Sequence, residues 1–439
     1  MTKEEVIAIV KDQQIPVIRL WFTDILGQIR GFAITPRELP DAMDHGMGFD
    51  GSSVEGFARI HESDLMAVPD PATFKLLSND ISESHSAIMF CDLRTPEGDH
   101  YEGDTRYVLR RNLEKIAQEG LTFYVGPELE YFYFRNERGV EVLDEVGYFD
   151  ASIVSQGTIL RKKTIQLLEK LGIKVEYSHH EVAPSQHEID LRYDNAMDMA
   201  DTVIMYRFLV KEIARQNGVY ATFMPKPIQS ENGSGMHTHQ SIFKGDQNLF
   251  FAAEDPYHLS GMARSYIAGI LKHIREMTAV LNQWVNSYKR LVPGYEAPVY
   301  ISWGQKNRSA LVRVPRYRIS RETSTRIELR SADPVCNPYL AFSVMLAAGM
   351  KGVRENYELP PPVEENIYEM SPRALKDHNI EMLPGDLYEA VQHLKNSDLM
   401  RETLGDHVFE KFIDNKLIEW DRYRGIVSQY ELEKYLPIM

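Results

Sequence analysis

The chain has 439 residues, 43% of them hydrophobic and 26% charged, which suits a soluble globular protein of two domains and excludes long disorder. Its formal net charge of −15 argues against a nucleic-acid partner, although a small anion needs only a local basic pocket. The 2 cysteines, Cys91 and Cys336, stand in no CxxC spacing, which excludes a disulfide scaffold and a thiolate zinc site and fits a reducing, cytoplasmic setting.

The opening MTKEEVIAIV is too charged for a signal peptide, and the longest weakly polar run, 339–350, is too short for a membrane span, so no membrane partner is expected. In chain order, a helix is predicted over 4–12, then apolar strand-like stretches over 16–22 and 86–93. Between these, HGMGFDGSSVEGF is dense in glycine and reads as a loop. It contains a formal G-x-G-x-x-G (Gly46, Gly48, Gly51), but no apolar strand runs into it and no amphipathic helix opens from it. It is read as a coincidental glycine loop. From Gly103 onward short strands alternate with amphipathic helices over about 158–171 and 197–217. The chain from Pro338 on reads as mostly helical, with 360–362 as a proline connector. There is no Walker A loop.

Four segments use the two-residue alternation of a strand to put ionisable groups on one face. In FYVGPELEYFYF, Glu128 and Glu130 share a face, opposite Leu129, Tyr131 and Tyr133. Two such carboxylates resist ionisation together unless a cation holds them. In IKVEYSHHEVAPSQHEIDL, Glu181 ends one strand and Glu188 opens the next around a Pro184-Ser185 turn. In NGSGMHTHQSIF, His237, His239 and Ser241 project together. No cysteine or third nearby histidine completes a zinc set, so Mg²⁺ or Mn²⁺ suits one histidine among carboxylates better. In TRIELR, Arg326, Glu328 and Arg330 share a face, which alone reads as a salt-bridge ladder. Together, five glutamates and a histidine ask for about two divalent cations, and the arginines ask for an anion. Cations about 3.5–4 Å apart with arginines opposite are the apparatus of phosphoryl transfer. Arg290, Arg308 and Arg313 follow nearby, and Glu296 stands in a Gly/Pro-flanked segment suited to closing over a site.

FDGSS, GPELEYF, HHEVAPSQHE, NGSGMH, KRLVPGYEAP, NRS, R-I-E-x-R and NPYL, in this order and spanning almost the whole chain, resemble glutamine synthetase. The short length and lack of a late insertion resemble the alpha-type, type I branch. The resemblance implies an α+β fold: an N-terminal β-grasp-like domain over 1–102, and a catalytic domain over 103–439 with a curved antiparallel sheet of the glutamine synthetase/guanido kinase kind flanked by helices. It implies ligation of glutamate and ammonium with ATP as co-substrate, through γ-glutamyl phosphate, with two or three Mg²⁺ or Mn²⁺ per site.

Carried over, the resemblance implies that Glu130, Glu181 and Glu188 hold one cation, and Glu128, His237 and Glu328 another. Asn232, Gly233, His237, Arg290, Glu296 and Arg330 would bind glutamate. His239, Ser241, Arg308, Arg313 and Arg326 would meet ATP. Asp50, Ser53, Tyr148, Glu181 and Glu296 would form the ammonium site, with Asp50, Glu296 and Arg308 catalytic. Asp50 would serve a neighbouring subunit in a dodecamer of two stacked hexameric rings. Arg59 would carry glutamine feedback, and nitrogen-signalling regulator proteins are further expected partners. Without the other branch's insertion, Tyr368 is expected to remain unmodified. A γ-glutamyl-amine ligase should have lost the ammonium-site acids, and a non-catalytic homologue its metal ligands. Neither loss is seen.

Overall fold

The computed structural model describes residues 1–54, 64–77, 85–317 and 322–439, with the side chains of Ser53 and Pro372 excepted. Helix α1 (Lys3–Asp12) starts at a complete capping box between Thr2 and Glu5, and buries Val6 and Val10, one turn apart. After it come β1 (Ile18–Thr23), β2 (Ile29–Ile34), α2 (Leu39–His45), β3 (Met47–Asp50), β4 (Asp64–Pro69), β5 (Lys75–Leu77) and β6 (Ser86–Arg94). They form one sheet in the order β2-β1-β6-β4-β3, with β5 also on β6. The first and last strands in sequence, β1 and β6, lie side by side and parallel, as in a β-grasp domain.

The glycine-dense segment expected to be all loop contains a strand. β3 pairs antiparallel with β4 and sets Asp50 opposite Asp64. Gly46 (φ 79°) turns the chain into it; Met47 and Phe49 then face inward while Gly48 and Asp50 face out. The alternation is real, but glycine on one face hides it from a reading by apolar runs.

Helix α3 (Thr105–Ala117) leads into the second sheet: β7 (Thr122–Phe134), β8 (Val175–His180), β9 (Gln186–Leu191), β10 (Asp194–Asn195), β11 (Tyr220–Thr222), β12 (Met236–Lys244), β13 (Gln247–Asn248), β14 (Tyr300–Gly304), β15 (Ala310–Arg313) and β16 (Ile327–Leu329). Its main path is β14-β15-β16-β12-β7-β9-β8. All pairs are antiparallel except β14 with β15. Helices α4 (Gln156–Lys170), α5 (Ala196–Gln216), α6 (Gly261–Leu281), α7 (Ser287–Arg290) and α8 (Pro338–Arg354) flank it. Further helices follow to the C-terminus, the longest of them Asp406–Arg424, as expected from Pro338 on.

One face of β7 explains the layering. Leu129, Tyr131 and Tyr133 are fully buried against a core that includes Tyr206 and Leu209 of α5. The opposite face presents Glu128 and Glu130, and then Phe132 and Phe134, which a small apolar cluster with Ala183 covers. The two sheets are joined by packing and charge. Trp21 meets Phe208 with ring centres 4.8 Å apart, and the buried Arg106 binds Asp70 at 2.8 Å, Asp201 at 3.0 Å, and Asp92. Among the described residues, no helix is long and apolar enough to cross a membrane.

Candidate active site

Strand register brings together what sequence alternation placed on separate faces. His237 stands opposite Glu128, His239 stands opposite Glu328, and Glu130 stands opposite Glu188. β16 adds Glu328 beside Arg313 of β15. Glu181 comes one residue after β8 rather than closing it, and Glu188 sits inside β9 rather than opening it. Both still reach the same floor.

Three potential ligand groups share this floor: two are the expected sets, and His179, Glu188 and Asp190 make a third that overlaps the second at Glu188. In the first, one atom each of Glu128, His237 and Glu328 lie within 4.8 Å of one another. His237 Nδ1 is 3.3 Å from Glu128 and 3.8 Å from Glu328. His239 Nε2 donates to Glu128 at 2.7 Å, while Arg326 donates to its Nδ1 at 3.2 Å, which sets the ring's tautomer. Burial works against charge on Glu128, but His239 and His237 hold it well below the usual carboxylate range. Glu328 is fully buried; Arg330 and His239 overcome that burial and hold it low, with Arg313 Nε 2.5 Å away.

The second group is acid only: Glu130, Glu181 and Glu188, again within 4.8 Å. Gln186 and the Gly235 N–H each donate to Glu130 at 2.9 Å. Burial, then the charges of Glu130 and Glu296, push Glu181 up to about 9, and burial with Asp190 raises Glu188. His179 lies between them, 3.3 Å from Glu181 and 3.5 Å from Glu188. Carboxylates this crowded keep protons unless a cation takes their place, and an all-oxygen set suits a hard divalent ion. Both groups therefore fit the expected cations.

These groups line a cleft of about 700 Å³ with Tyr148, Asn232, Gly233, Arg290, Glu296, Arg308, Arg313 and Arg330. A second cleft of about 470 Å³, holding His239, Ser241 and Arg326, shares Glu128 and Tyr177 with the first. The expected ATP residues thus divide between two adjoining spaces. Arg290 is held by the carbonyls of Ser331 at 2.8 Å and Arg330 at 3.1 Å. A Cβ on Gly233 would come within 2.2 Å of the Pro225 carbonyl and 3.0 Å of Arg290, so that position requires glycine. Glu296 has φ 52° and accepts from Asn232 at 3.3 Å. Half-exposed Tyr148 has its hydroxyl raised by burial and by Glu181.

The floor does not gather every expected residue. Asp50 is exposed at the end of β3, accepts from Ser52 N at 2.9 Å, and lines neither cleft. Arg59 and the side chain of Ser53 lie outside the described residues. The structure adds Tyr177, His179, Gln186 and Asp190, which the sequence reading did not single out. Asp190 stands opposite Glu128 and two residues from Glu188, so the alternation that found Glu128 and Glu130 also applies to it. Tyr368, half-buried in the cleft wall, donates to the Ala297 carbonyl at 2.7 Å, beside Glu296.

Comparison with known proteins gives consistent results. Residues 14–96 match the family model "Glutamine synthetase, beta-Grasp domain", and residues 102–435 match "Glutamine synthetase, catalytic domain". The chain is 49% identical to glutamine synthetase of Mycolicibacterium smegmatis over 99% of both chains. It is 48% identical to that of Thermotoga maritima, over 99% of this chain and all of the other. Among solved structures, a GmaS/ADP complex is 27% identical with a TM-score of 0.88, covering 98% of this chain and 99% of that one. Plasmodium falciparum glutamine synthetase, 24% identical with a TM-score of 0.88 over 99% of both, shares the fold.

Proposed function

The chain belongs to the glutamine synthetase family, and on that premise we propose how its side chains divide the work. It is an enzyme that makes glutamine from glutamate and ammonia with ATP, in a family that uses divalent metals. The observation that carries the division is the pairing of two ligand groups on one floor, with Glu128 and Glu130 adjacent on β7 but in different groups.

In our reading, Glu130, Glu181 and Glu188 hold a cation beside glutamate and ammonium, and Glu128, His237 and Glu328 hold one beside the ATP phosphates. Bound there, Mg²⁺ or Mn²⁺ would neutralise charge on the phosphates and the substrate carboxylate. Arg290 and Arg330, with Asn232, Gly233, His237 and Glu296, orient glutamate. His239, Ser241 and Arg326 line the nucleotide side, and the ADP bound in the solved GmaS relative supports a nucleotide site on this fold.

A carboxylate does not condense with ammonia directly, because oxide is a poor leaving group. The side-chain carboxylate of glutamate instead attacks the γ-phosphorus of ATP, giving γ-glutamyl phosphate and ADP. Arg308 and Arg313 stabilise the charge of the transferring group. Ammonium binds among Asp50, Ser53, Tyr148, Glu181 and Glu296, and Asp50 takes its proton. Ammonia then attacks the acyl carbon and phosphate leaves, while Glu296 closes the cleft against water.

We assign the Asp50 in question to a second copy of the chain, a reading supported by the exposure of this chain's own Asp50 outside its clefts. We therefore read 1–102 as a domain that completes a neighbour's site, 103–439 as the catalytic domain, and the assembly as a dodecamer of two stacked rings. Exposed Ile426, Val427, Leu436 and Ile438 near the C-terminus offer apolar surface for such an assembly. Two free, buried cysteines fit work in the cytoplasm. For regulation we assign glutamine feedback to Arg59; an Arg59→Ala enzyme with an unchanged inhibition curve would remove that assignment. Manganese titration tests the division of labour. Wild type should show two classes of site, with Glu130→Ala and Glu328→Ala each losing a different one. Loss of the same class in both variants would refute it.

A further inference from the structure

Behind the cleft floor lies a group of potential ligands that the mechanism above does not use. Asp144, between β7 and α4, His180 at the end of β8, and His187 in β9 each bring a ligand atom within 4.8 Å of the others. His187 is fully buried, and neither of its ring nitrogens has a hydrogen-bond partner. Asp144 Oδ2 is also buried and unpartnered. Most buried polar atoms in a finished fold are partnered, so three unpartnered atoms within one cluster call for an explanation.

The geometry of His180 points the same way. Its Nδ1 lies 2.7 Å from the Glu181 carbonyl, which can only accept, so Nδ1 carries the hydrogen. A neutral ring then turns the lone pair of Nε2 onto Asp144 Oδ1, 2.9 Å away. Two acceptors hold that distance only with a proton or a metal cation between them. His187 needs the cation more plainly, since its Nε2 sits 4.0 Å from Asp144 Oδ2, too far for a hydrogen bond. One ion about 2 Å from each would reach both. The space is kept open by Gly157 in the first turn of α4. A Cβ there would fall 2.6 Å from His187 Nε2 and 3.3 Å from Asp144 Oδ2.

We propose that Asp144, His180 and His187 form a structural site for a borderline divalent transition ion, with Zn²⁺ the type. Two imidazoles and one carboxylate select such an ion over Mg²⁺, unlike the acid-only group on the cleft floor. The ion would tie the segment carrying Tyr148 to the hairpin carrying Glu181 and Glu188. His180 and His187 are the immediate chain neighbours of those two glutamates, so the site positions the floor from behind.

The test uses the assembled enzyme, loaded with Zn²⁺ and then dialysed against excess Mg²⁺ to clear the carboxylate sites, with zinc read by elemental analysis. About one zinc per chain should remain in wild type and in Glu130→Ala. Less than about a tenth of that should remain in Asp144→Asn and His187→Gln. Co²⁺ loaded in the same way should give the visible bands of a low-symmetry N/O site in wild type and Glu130→Ala, and not in Asp144→Asn or His187→Gln. Two variants at different ligands are compared so that poor folding of one does not decide the result. No retained zinc in wild type, or equal zinc in wild type and a folded variant, would overturn the site and leave Asp144 and His180 as a plain hydrogen-bonded pair.

Discussion

Glu328 and Glu181 carry opposite electrostatic histories within one cleft. Glu328 is held charged by Arg330, His239 and Arg313, so removing its charge leaves cations without a partner and a ligand group one member short. Glu328→Gln should weaken one class of Mn²⁺ site by about tenfold or more, read by titration of the folded variant. Glu181 is held protonated up to about 9 by burial and Glu130. A cation must displace that proton, so affinity should rise with pH from neutrality toward about 9, with proton release seen by calorimetry in buffers of different ionisation enthalpy. The sign for stability is the reverse. A carboxyl whose folded value is raised stabilises the fold below its unfolded value and loses that contribution as pH rises toward about 9. The metal-free chain should therefore melt lower at mildly alkaline than at mildly acidic pH, and saturating Mn²⁺ should remove the difference. A pH-independent affinity would contradict both statements. Glu128, Glu130 and His237 were legible because alternation alone exposes them. Asp190 obeys the same rule but was passed over in a segment read for its turn, and His179 was invisible because its role depends on cross-strand partners.

At the level of elements, the β12–β7–β9 register does most of the positioning, and the loop leading into β12 sets what stands over it. Gly233 lies where a Cβ would strike the Pro225 carbonyl and press on Arg290 from α7. Gly233→Ala should raise KM for glutamate by about tenfold while leaving the Mn²⁺ titration unchanged, because the loop moves and the strands do not. An unchanged KM would remove Gly233 and Arg290 from the glutamate wall. Strands with apolar alternation and helices with capped, amphipathic repeats were readable within a few residues: α4 and α5 fall where expected. β3 was not, because Gly46, Gly48 and Gly51 carry the turn chemistry that a reader takes for a loop, whereas its pairing comes from distant β4. The two adjoining clefts were equally out of reach, since no local pattern says that Tyr177 and Glu128 border both.

Across the whole molecule, the junction of the two sheets rests on Arg106, which neutralises Asp70, Asp92 and Asp201 beside Asp104, itself raised to about 7 by burial and by Asp92. Arg106→Ala leaves the buried Asp201 without a counter-charge, while Arg110 still pairs Asp92 at 2.9 Å, and should cost about 3–5 kcal/mol in urea unfolding. A loss under about 1 kcal/mol would mean the junction is held by packing around Trp21 instead. The junction matters because it sets where β3 presents Asp50, outside its own clefts, and in our proposal that residue serves another copy. The most direct measurement is therefore complementation between two inactive variants, Asp50→Ala and Glu328→Ala, co-expressed and purified as one assembly. If the site takes Glu328 from one chain and Asp50 from its neighbour, random mixing restores about a quarter of the sites, and glutamine formation returns in proportion. Mixed assemblies of full size that stay as inactive as either parent would show that each chain completes its own site.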